Sequence, residues 1–440
     1  MQKLLFIAFL LFGLNTFCQE EAEAISLNFI GNLKSQKYAT AHTFLNEEIK
    51  SQLVVESLEG IWEQTLEKFG KFKSFESNCV ENTEAGVVTY TTCYFKNATY
   101  DIKIILDANN LIASFTLNEV YNCNQEPYQA PAYDQPELYS ETEVSFKTGD
   151  ITFPASLVLP KNTEKNTILI FVHGSGPNDR DESYGPNKMF RDLAVGLASE
   201  GYASLRYEKR TKIYTPKSQA EITNFTIQDE VLDDVQSAIQ FLQNNESTKE
   251  MNIVLLGHSL GAMMIPKSAV DNEAVKGMIL MAGPANPFED LLPYQYEYLF
   301  GLDGKISKEE KEQIEQIKGQ VQVVKKNLTE TTPATDLPLG LNAKYWLSLK
   351  DHHQTALAKE FKGPVLVMNG ERDYQVPMTE YQKWQADLAG KENVTFKDWA
   401  ILNHFFFEGE GTPNPDEYKN RSNVPDYVIE FVADWLDNNH

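Results

Sequence analysis

The chain has 440 residues, of which 42% are hydrophobic and 23% charged. This composition is typical of a globular protein and excludes a disordered or fibrous one. At about 150 residues per domain, the length predicts two or three domains. The formal net charge of −24 at neutral pH disfavours a nucleic-acid partner, because a strongly negative surface repels phosphate groups.

The first 18 residues have the pattern of a signal peptide. Lys3 precedes an unbroken apolar run over 4–14, and Thr16 and Cys18 put small side chains where cleavage requires them. The sequence therefore predicts export to the periplasm or the outside, with cleavage after Cys18. The alternatives are a buried N-terminal helix and a lipid anchor on Cys18, although a residue as bulky as Phe17 disfavours the anchor. No later apolar run approaches the ~18 residues that a membrane span needs.

Residues 20–122 predict a small α+β domain. Apolar side chains recur at helical spacing up to about Phe75. Three stretches rich in β-branched and aromatic residues then predict strands, at Gly86–Phe95, Ala98–Leu106 and Leu111–Val120. Prolines punctuate residues 123–140, which are interpreted as a semi-rigid linker.

Three cysteines follow the predicted cleavage point, and an exported protein can oxidise a pair of them. Cys79 and Cys93 lie in a region predicted to form adjacent strands, where cross-strand side chains come within bridging distance. We therefore expect a disulfide between them, with Cys123 as an alternative partner. None of the three has a spacing to other cysteines or histidines that predicts a zinc site.

From residue 141 to the end, strands alternate with helices, which predicts a mostly parallel sheet with helices on both faces. An opening hairpin precedes Thr167–Val172, an apolar run typical of a strand buried on both faces. The expected helices are Met189–Ser199 and Thr226–Gln243, and the later strands are Tyr202–Tyr207, Asn252–Leu256, Gly277–Met281, Val365–Met368 and Val394–Trp399. Residues 284–360 form a long insertion that would lie over the carboxyl ends of the strands, and we interpret it as a lid.

Ser259 is the candidate nucleophile. It lies at the centre of a Gly-x-Ser-x-Gly sequence, Gly257 to Gly261, between an apolar strand and a helical stretch. Such a nucleophile elbow is a strained strand-to-helix turn, and the residues two before and two after the serine must be nearly free of side chain. An ordinary turn would not need this combination of motif and flanking elements.

A serine hydroxyl is a weak nucleophile until a base removes its proton. In folds with a nucleophile elbow, the acid and then the histidine follow the serine in the chain. His404 is the expected base, because it follows the last predicted strand, whereas His352 and His353 precede the best acid and His440 ends the chain. Asp373 is the expected acid, because it ends a turn after the strand Val365–Met368.

Glu371 is the competing acid, two residues before Asp373. The oxyanion hole requires backbone N–H donors, one of them from the residue after the nucleophile, Leu260. The second is expected from the loop after Thr167–Val172, at Ser175, with Gly174 as the fallback, because glycines in this loop let the backbone approach a ligand.

Several motifs together resemble a bacterial family of exported carboxylesterases with the α/β-hydrolase fold, grouped with the serine aminopeptidase-like hydrolases. They are His173 to Asp181 (HGSGPNDRD), Leu205 to Arg210 (LRYEKR), Gly257 to Gly261 (GHSLG) and Leu402 to His404 (LNH). Many relatives continue the Lys-Arg pair with glycine, whereas this chain has Thr211. Residues 20–122 are similar, through weaker motifs, to the nuclear-transport-factor-2-like domain that some members carry.

The resemblance implies ester hydrolysis by a triad of Ser259, Asp373 and His404, without a cofactor or metal. We expect a small-molecule ester substrate with a short acyl chain. The alternatives are a serine peptidase acting on short peptides or aminoacyl amides, and a binding protein that uses the hydrolase fold as a passive scaffold.

Overall fold

The computed structural model describes residues 20–439 except 84–85, 119, 122, 124–125, 163, 215, 217 and 271. The predicted signal peptide lies outside the described residues. The chain divides into two compact units, and the division falls between Gln125 and Glu126. None of the helices in the described part of the chain is both long enough and apolar enough for a bilayer span.

The first unit packs helices against one antiparallel sheet. Residues 20–34 form the first helix, α1. The other elements are α2 Tyr38–Thr43, α3 Glu47–Gln52, α4 Val55–Phe69, β1 Phe72–Thr83, β2 Gly86–Phe95, β3 Thr99–Leu106 and β4 Ile112–Asn118. The strands pair in chain order. The core contains the helical side chains Phe29, Leu33 and Trp62. The sequence predicted helix up to about Phe75, which is wrong at its end, because β1 already begins at Phe72.

The expected disulfide between Cys79 and Cys93 is wrong. Cys79 is bonded to Cys123, with Cα atoms 6.0 Å apart. In the register of β1 and β2, Cys93 faces Phe75 rather than Cys79, and four residues of strand separate the two cysteines by about 13 Å, beyond bridging distance. The segment after β4 returns to β1, where the carbonyl of Tyr121 accepts from Asn78 Nδ2 at 2.7 Å. Cys93 is a free thiol in the core, and burial raises its pKa to about 12.

The second unit is built on an eight-stranded sheet with the order β14-β13-β12-β11-β7-β10-β6-β5. Its strands are β5 Tyr139–Thr148, β6 Ile151–Pro160, β7 Thr167–Val172, β10 Ala203–Tyr207, β11 Asn252–His258, β12 Val275–Met281, β13 Val365–Gly370 and β14 Val394–Trp399, and a short hairpin adds β8 Ser183–Tyr184 and β9 Asn187–Lys188. The six strands from β10 across to β14 are parallel, and β6 and β5 continue the sheet antiparallel. This is the mostly parallel sheet that the alternation of elements predicts, and it agrees with the α/β-hydrolase fold that the resemblance implies.

Helices cover both faces of this sheet. They are α5 Met189–Ser199, α6 Arg210–Ile213, α7 Gln219–Asn224, a π-helix at Gln228–Leu232, α8 Asp233–Asn244, α9 Leu260–Ala269, α10 Phe288–Gly301, α11 Lys308–Lys326, α12 Ala343–Leu349, α13 Gln354–Glu360, α14 Met378–Asp387 and α15 Asp426–Asn439. Among the described residues, short 3₁₀ turns lie at Ala334–Asp336, Pro338–Gly340 and Pro415–Lys419. All six residues of β7 are buried. Its alternate side chains enter separate cores, one shared with α8 and α9 and the other with α5 and α15, so the apolar run reflects burial on both faces.

The insertion between β12 and β13 contains α10 to α13. The apolar stripe of α11, which includes Ile314 and Val321, is buried. Tyr298 of α10 stacks on Tyr374, with ring centroids 5.2 Å apart, and Tyr374 directly follows Asp373. The insertion therefore lies beside the carboxyl end of β13.

Candidate active site

Ser259 occupies a strained turn between β11 and α9. Its φ is 52° and its ψ −116°, a combination that residues other than glycine rarely adopt and that costs of order 1–3 kcal/mol. The surrounding structure holds the strain, since the N–H of Ser259 donates to the carbonyl of Met281 at 2.9 Å. The side chain is half-buried at the N-terminus of a ten-residue helix, where the helix dipole favours negative charge.

Asp373 and His404 meet in the buried region at the ends of β13 and β14. His404 Nδ1 lies 2.7 Å from Asp373 Oδ2, and both residues are buried. The other carboxylate oxygen accepts the N–H groups of Gln375 and Val376, both at 2.8 Å. The turn fixes the Asp373 carboxylate against Nδ1, and when Nδ1 donates to it, Nε2 carries the free lone pair of the ring.

The other candidates for these two roles lie elsewhere. Glu371 is exposed, and its carboxylate does not bond to His404. His352 is buried, with Nε2 2.7 Å from the carbonyl of Met263, and His353 is exposed. The structure has no hydrogen bond between the Ser259 hydroxyl and His404, and such catalytic hydrogen bonds commonly tighten only when a substrate binds.

The loop after β7 lies directly against the serine. A Cβ placed on Gly174 would be 3.2 Å from Cβ of Ser259. The N–H of Gly174 already donates to Glu182 at 2.8 Å, so the fallback donor is occupied. In contrast, Ser175 is exposed, and its N–H has no acceptor within the described part of the chain. Leu260 is the first residue of α9, so its N–H has no partner inside the helix. Ser175 and Leu260 therefore each carry an N–H group that has no hydrogen-bond acceptor among the described residues.

Glu182 and His258 form a buried pair beside the site that no sequence pattern predicted. Glu182 Oε1 lies 3.1 Å from His258 Nδ1, although 76 residues separate the two positions. Burial alone raises the pKa of Glu182, but the neighbouring imidazolium outweighs burial and holds that pKa below its ordinary value. Burial lowers the pKa of His258, but the Glu182 carboxylate outweighs it and raises that pKa. Nδ1 of His258 faces the Glu182 carboxylate and Nε2 faces the carbonyl of His404, which can only accept, so both ring nitrogens are placed to donate, as in an imidazolium.

The charge cluster at 179–181 braces the same loop. Asp179 Oδ1 accepts the N–H of Ser183 at 2.9 Å. Arg180 bonds to Glu208 at 2.8 Å and also to Glu143. These charged groups are paired with other groups of the protein, so they are not placed to bind a substrate.

A cavity of about 580 Å³ lies between the segment around α7 and the insertion. Its walls include the apolar side chains Ile222, Phe225 and Leu341. Thr211 also lines the cavity and donates to the carbonyl of Gly176, in the loop after β7, at 3.0 Å. None of the triad candidates lines it. Among the described residues, no group of three or more His, Cys, Asp or Glu side chains could hold a metal ion.

Comparisons with known families match both units of the chain. Residues 164–410 match the family model described as serine aminopeptidase, S33. Residues 26–115 match a family described as a protein of unknown function, DUF3887. The first match contains the serine turn, the Asp373–His404 pair and the loop after β7.

One relative is similar over almost the whole length. The chain is 30% identical over 433 residues to the esterase EstD of Thermotoga maritima, and the alignment covers 98% of each protein. Among solved structures, the Pyrococcus furiosus esterase Pf2001 matches with a TM-score of 0.45 and 14% identity, over 72% of this chain and 99% of that one. The Pyrococcus horikoshii acylaminoacyl peptidase matches with a TM-score of 0.46 and 14% identity, over 83% of this chain and 56% of that one. Both TM-scores are low, so these two likenesses carry no argument about activity.

Proposed function

Because the chain belongs to the serine aminopeptidase S33 family of hydrolases, we propose that it is a serine carboxylesterase that hydrolyses esters of short acyl chains. The observation that carries this proposal is the strained backbone of Ser259 at the N-terminus of α9. A fold that holds a serine in this conformation presents its hydroxyl at the end of the strand, which is the function of a nucleophile elbow. The relative EstD bears the name of an esterase, which agrees with the proposal.

In the proposed reaction, Ser259 Oγ attacks the ester carbonyl and His404 Nε2 takes the hydroxyl proton. Asp373 stabilises the imidazolium through Nδ1, to which it is bonded at 2.7 Å. The N–H groups of Ser175 and Leu260 donate to the oxyanion of the tetrahedral intermediate. His404 then gives the proton to the leaving alcohol, and a water molecule, deprotonated by the same imidazole, releases the acid from the acyl-enzyme.

The test uses the purified full chain and p-nitrophenyl esters of increasing acyl length. We expect turnover of the short esters, and we expect Ser259→Ala to abolish it without changing the circular dichroism spectrum. A fluorophosphonate probe should label the wild type and leave Ser259→Ala unlabelled. Undiminished turnover in the variant would refute the role of Ser259.

Two rival functions give different results in the same assays. A peptidase would cleave aminoacyl p-nitroanilides as well as the matching esters, whereas an esterase would cleave only the esters, because an amine is the poorer leaving group. A binding protein on a hydrolase scaffold would neither turn over any ester nor react with the fluorophosphonate. A panel of acyl chain lengths, run with and without residues 20–122, tests whether the first unit affects substrate choice.

We also propose that the protein is exported after cleavage behind Cys18. The disulfide between Cys79 and Cys123 supports this proposal, because such bonds persist in oxidising compartments and are rare in the cytosol. N-terminal sequencing of the mature protein should begin at Gln19. A mature protein that retains Met1 would contradict cleavage.

A further inference from the structure

Lys209 is a buried lysine next to the proposed oxyanion hole. It belongs to the motif Leu205 to Arg210, which has no role in the proposed reaction. Its side chain is 3% exposed. The ammonium donates to the carbonyl of Gly174 at 2.7 Å and to Glu230 Oε1 at 2.6 Å. The second carboxylate oxygen of Glu230 accepts from the hydroxyl of Tyr345, in helix α12 of the insertion, at 2.8 Å. One chain of hydrogen bonds therefore joins the insertion to the loop after β7.

The carbonyl that Lys209 binds belongs to the same peptide unit as the N–H of Ser175. A trans peptide is planar, and its C=O and N–H point in opposite directions. None of the described peptide bonds is cis. An ammonium on the Gly174 oxygen consequently fixes the plane in which the Ser175 N–H lies and polarises that N–H, as hydrogen bonds in a chain strengthen one another. Asn178 Nδ2 also donates to this oxygen, at 3.1 Å, but without a charge.

Stability alone is a weak reason for this arrangement. Taking an ammonium and a carboxylate out of water costs several kcal/mol per ion, and apolar residues of similar volume often serve stability equally well. A buried charge held against the peptide of an oxyanion donor does have a use in catalysis, because fixed dipoles at that position stabilise the charge that develops in the transition state.

We propose that Lys209 is a positioning residue that orients and polarises the Ser175 N–H, and that Tyr345 links this peptide to the insertion through Glu230. The proposal rests on the proposed function, since it assigns Ser175 to the oxyanion hole of the same reaction. Lys209 does not touch the reacting atoms, so its removal acts on the stabilisation of the oxyanion rather than on ester binding.

The test is the variant Lys209→Met/Glu230→Gln, which removes the ammonium without leaving an unpaired buried carboxylate. Loss of one oxyanion donor costs ~10²–10³ in kcat, and Lys209 acts through the peptide, so we expect kcat to fall by ~10–100-fold. KM should change by less than about 3-fold, because the lost interaction forms only in the transition state. The inhibition constant of an aryl trifluoromethyl ketone, whose adduct with serine carries the oxyanion, should rise in parallel with the loss of kcat/KM.

The matched control is Arg210→Met/Asp234→Asn, which removes a neighbouring buried ion pair. Arg210 Nε donates to Asp234 at 3.0 Å, and the side chain makes no hydrogen bond to the loop after β7. This variant should keep kcat within about 3-fold of the wild type. An equal loss of kcat in both variants would overturn the positioning role, and so would a rise in KM with kcat unchanged.

The link to the insertion is tested by Tyr345→Phe, which removes only the hydroxyl. It should lower kcat in the wild type and cause no further loss in Lys209→Met/Glu230→Gln, because coupled residues are not additive. Additive losses would overturn the link. If the wild type hydrolyses esters and Ser259→Ala does not, but the Lys209 variant keeps its kcat, this proposal fails while the proposed function stands. If the wild type hydrolyses none, the proposed function itself fails.

Discussion

His258 Nε2 donates to the carbonyl oxygen of His404, with the two atoms 3.0 Å apart. The residue before the candidate nucleophile thus holds the backbone of the candidate base, and its ring lies 4.6 Å from the ring of His404. Because Glu182 binds the other nitrogen of His258 and also the N–H of Gly174, three loops of the site meet at one buried charge pair.

We predict that Glu182→Gln destabilises the protein most at mildly acidic pH. The pKa of His258 is raised above 6.5, so its contribution is complete below pH 6.5 and is lost as the pH rises through the raised value. The pKa of Glu182 is lowered below 4.5, so its contribution is present above pH 4.5 and is lost as the pH falls through the lowered value. The test is the difference in melting temperature between the wild type and Glu182→Gln, measured from pH ~5 to ~9. A pH-independent difference would show that His258 is neutral, and Glu371→Gln is the exposed control.

Asp373→Asn should nearly abolish turnover with the fold intact. The asparagine oxygen can still accept the two turn N–H groups, but its amide would donate to Nδ1 of His404 and so force the proton onto Nε2. We expect kcat to fall by ~10⁴-fold, measured with the best p-nitrophenyl ester. Glu371→Gln should leave kcat unchanged, and the reverse result would make Glu371 the acid.

Gly261→Ala should destabilise the second unit. A Cβ at this position would lie 2.7 Å from the carbonyl carbon of Val172 and 2.8 Å from the carbonyl oxygen of His173. Both are backbone atoms, so the clash can be relieved only by a shift of the main chain. The expected loss is ~1–3 kcal/mol, measured by urea unfolding. Gly319→Ala, in the exposed middle of α11 with no atom near the new Cβ, should instead stabilise by about 1 kcal/mol. Equal effects of the two changes would contradict the crowding.

Reduction of the disulfide should destabilise the first unit. Cys79 and Cys123 are 44 residues apart in sequence, and closing a loop of this size contributes ~4 kcal/mol in the chain-entropy account. Thermal unfolding with and without a reductant should differ in the wild type and not in Cys79→Ser/Cys123→Ser. Peptide mapping that joined Cys79 to Cys93 would contradict the structure.

The sequence by itself determined the features that depend on neighbouring residues. The apolar run of β7, the glycines around Ser259 and the order of serine, acid and histidine are local signals, because burial, backbone crowding and strand order leave their mark on adjacent positions. Chain order also argued against His352 and His353 as the base. In the structure, the imidazole of His404 is the one within hydrogen-bond distance of Asp373.

Only the tertiary structure decided which distant side chains meet. The partner of Cys79 depends on strand register and on the return of the segment after β4. The contact between Glu182 and His258 and the contact between Glu230 and Tyr345 span 76 and 115 residues. No local pattern encodes such pairs, because a side chain's direction and depth are set only when the elements that carry it pack together.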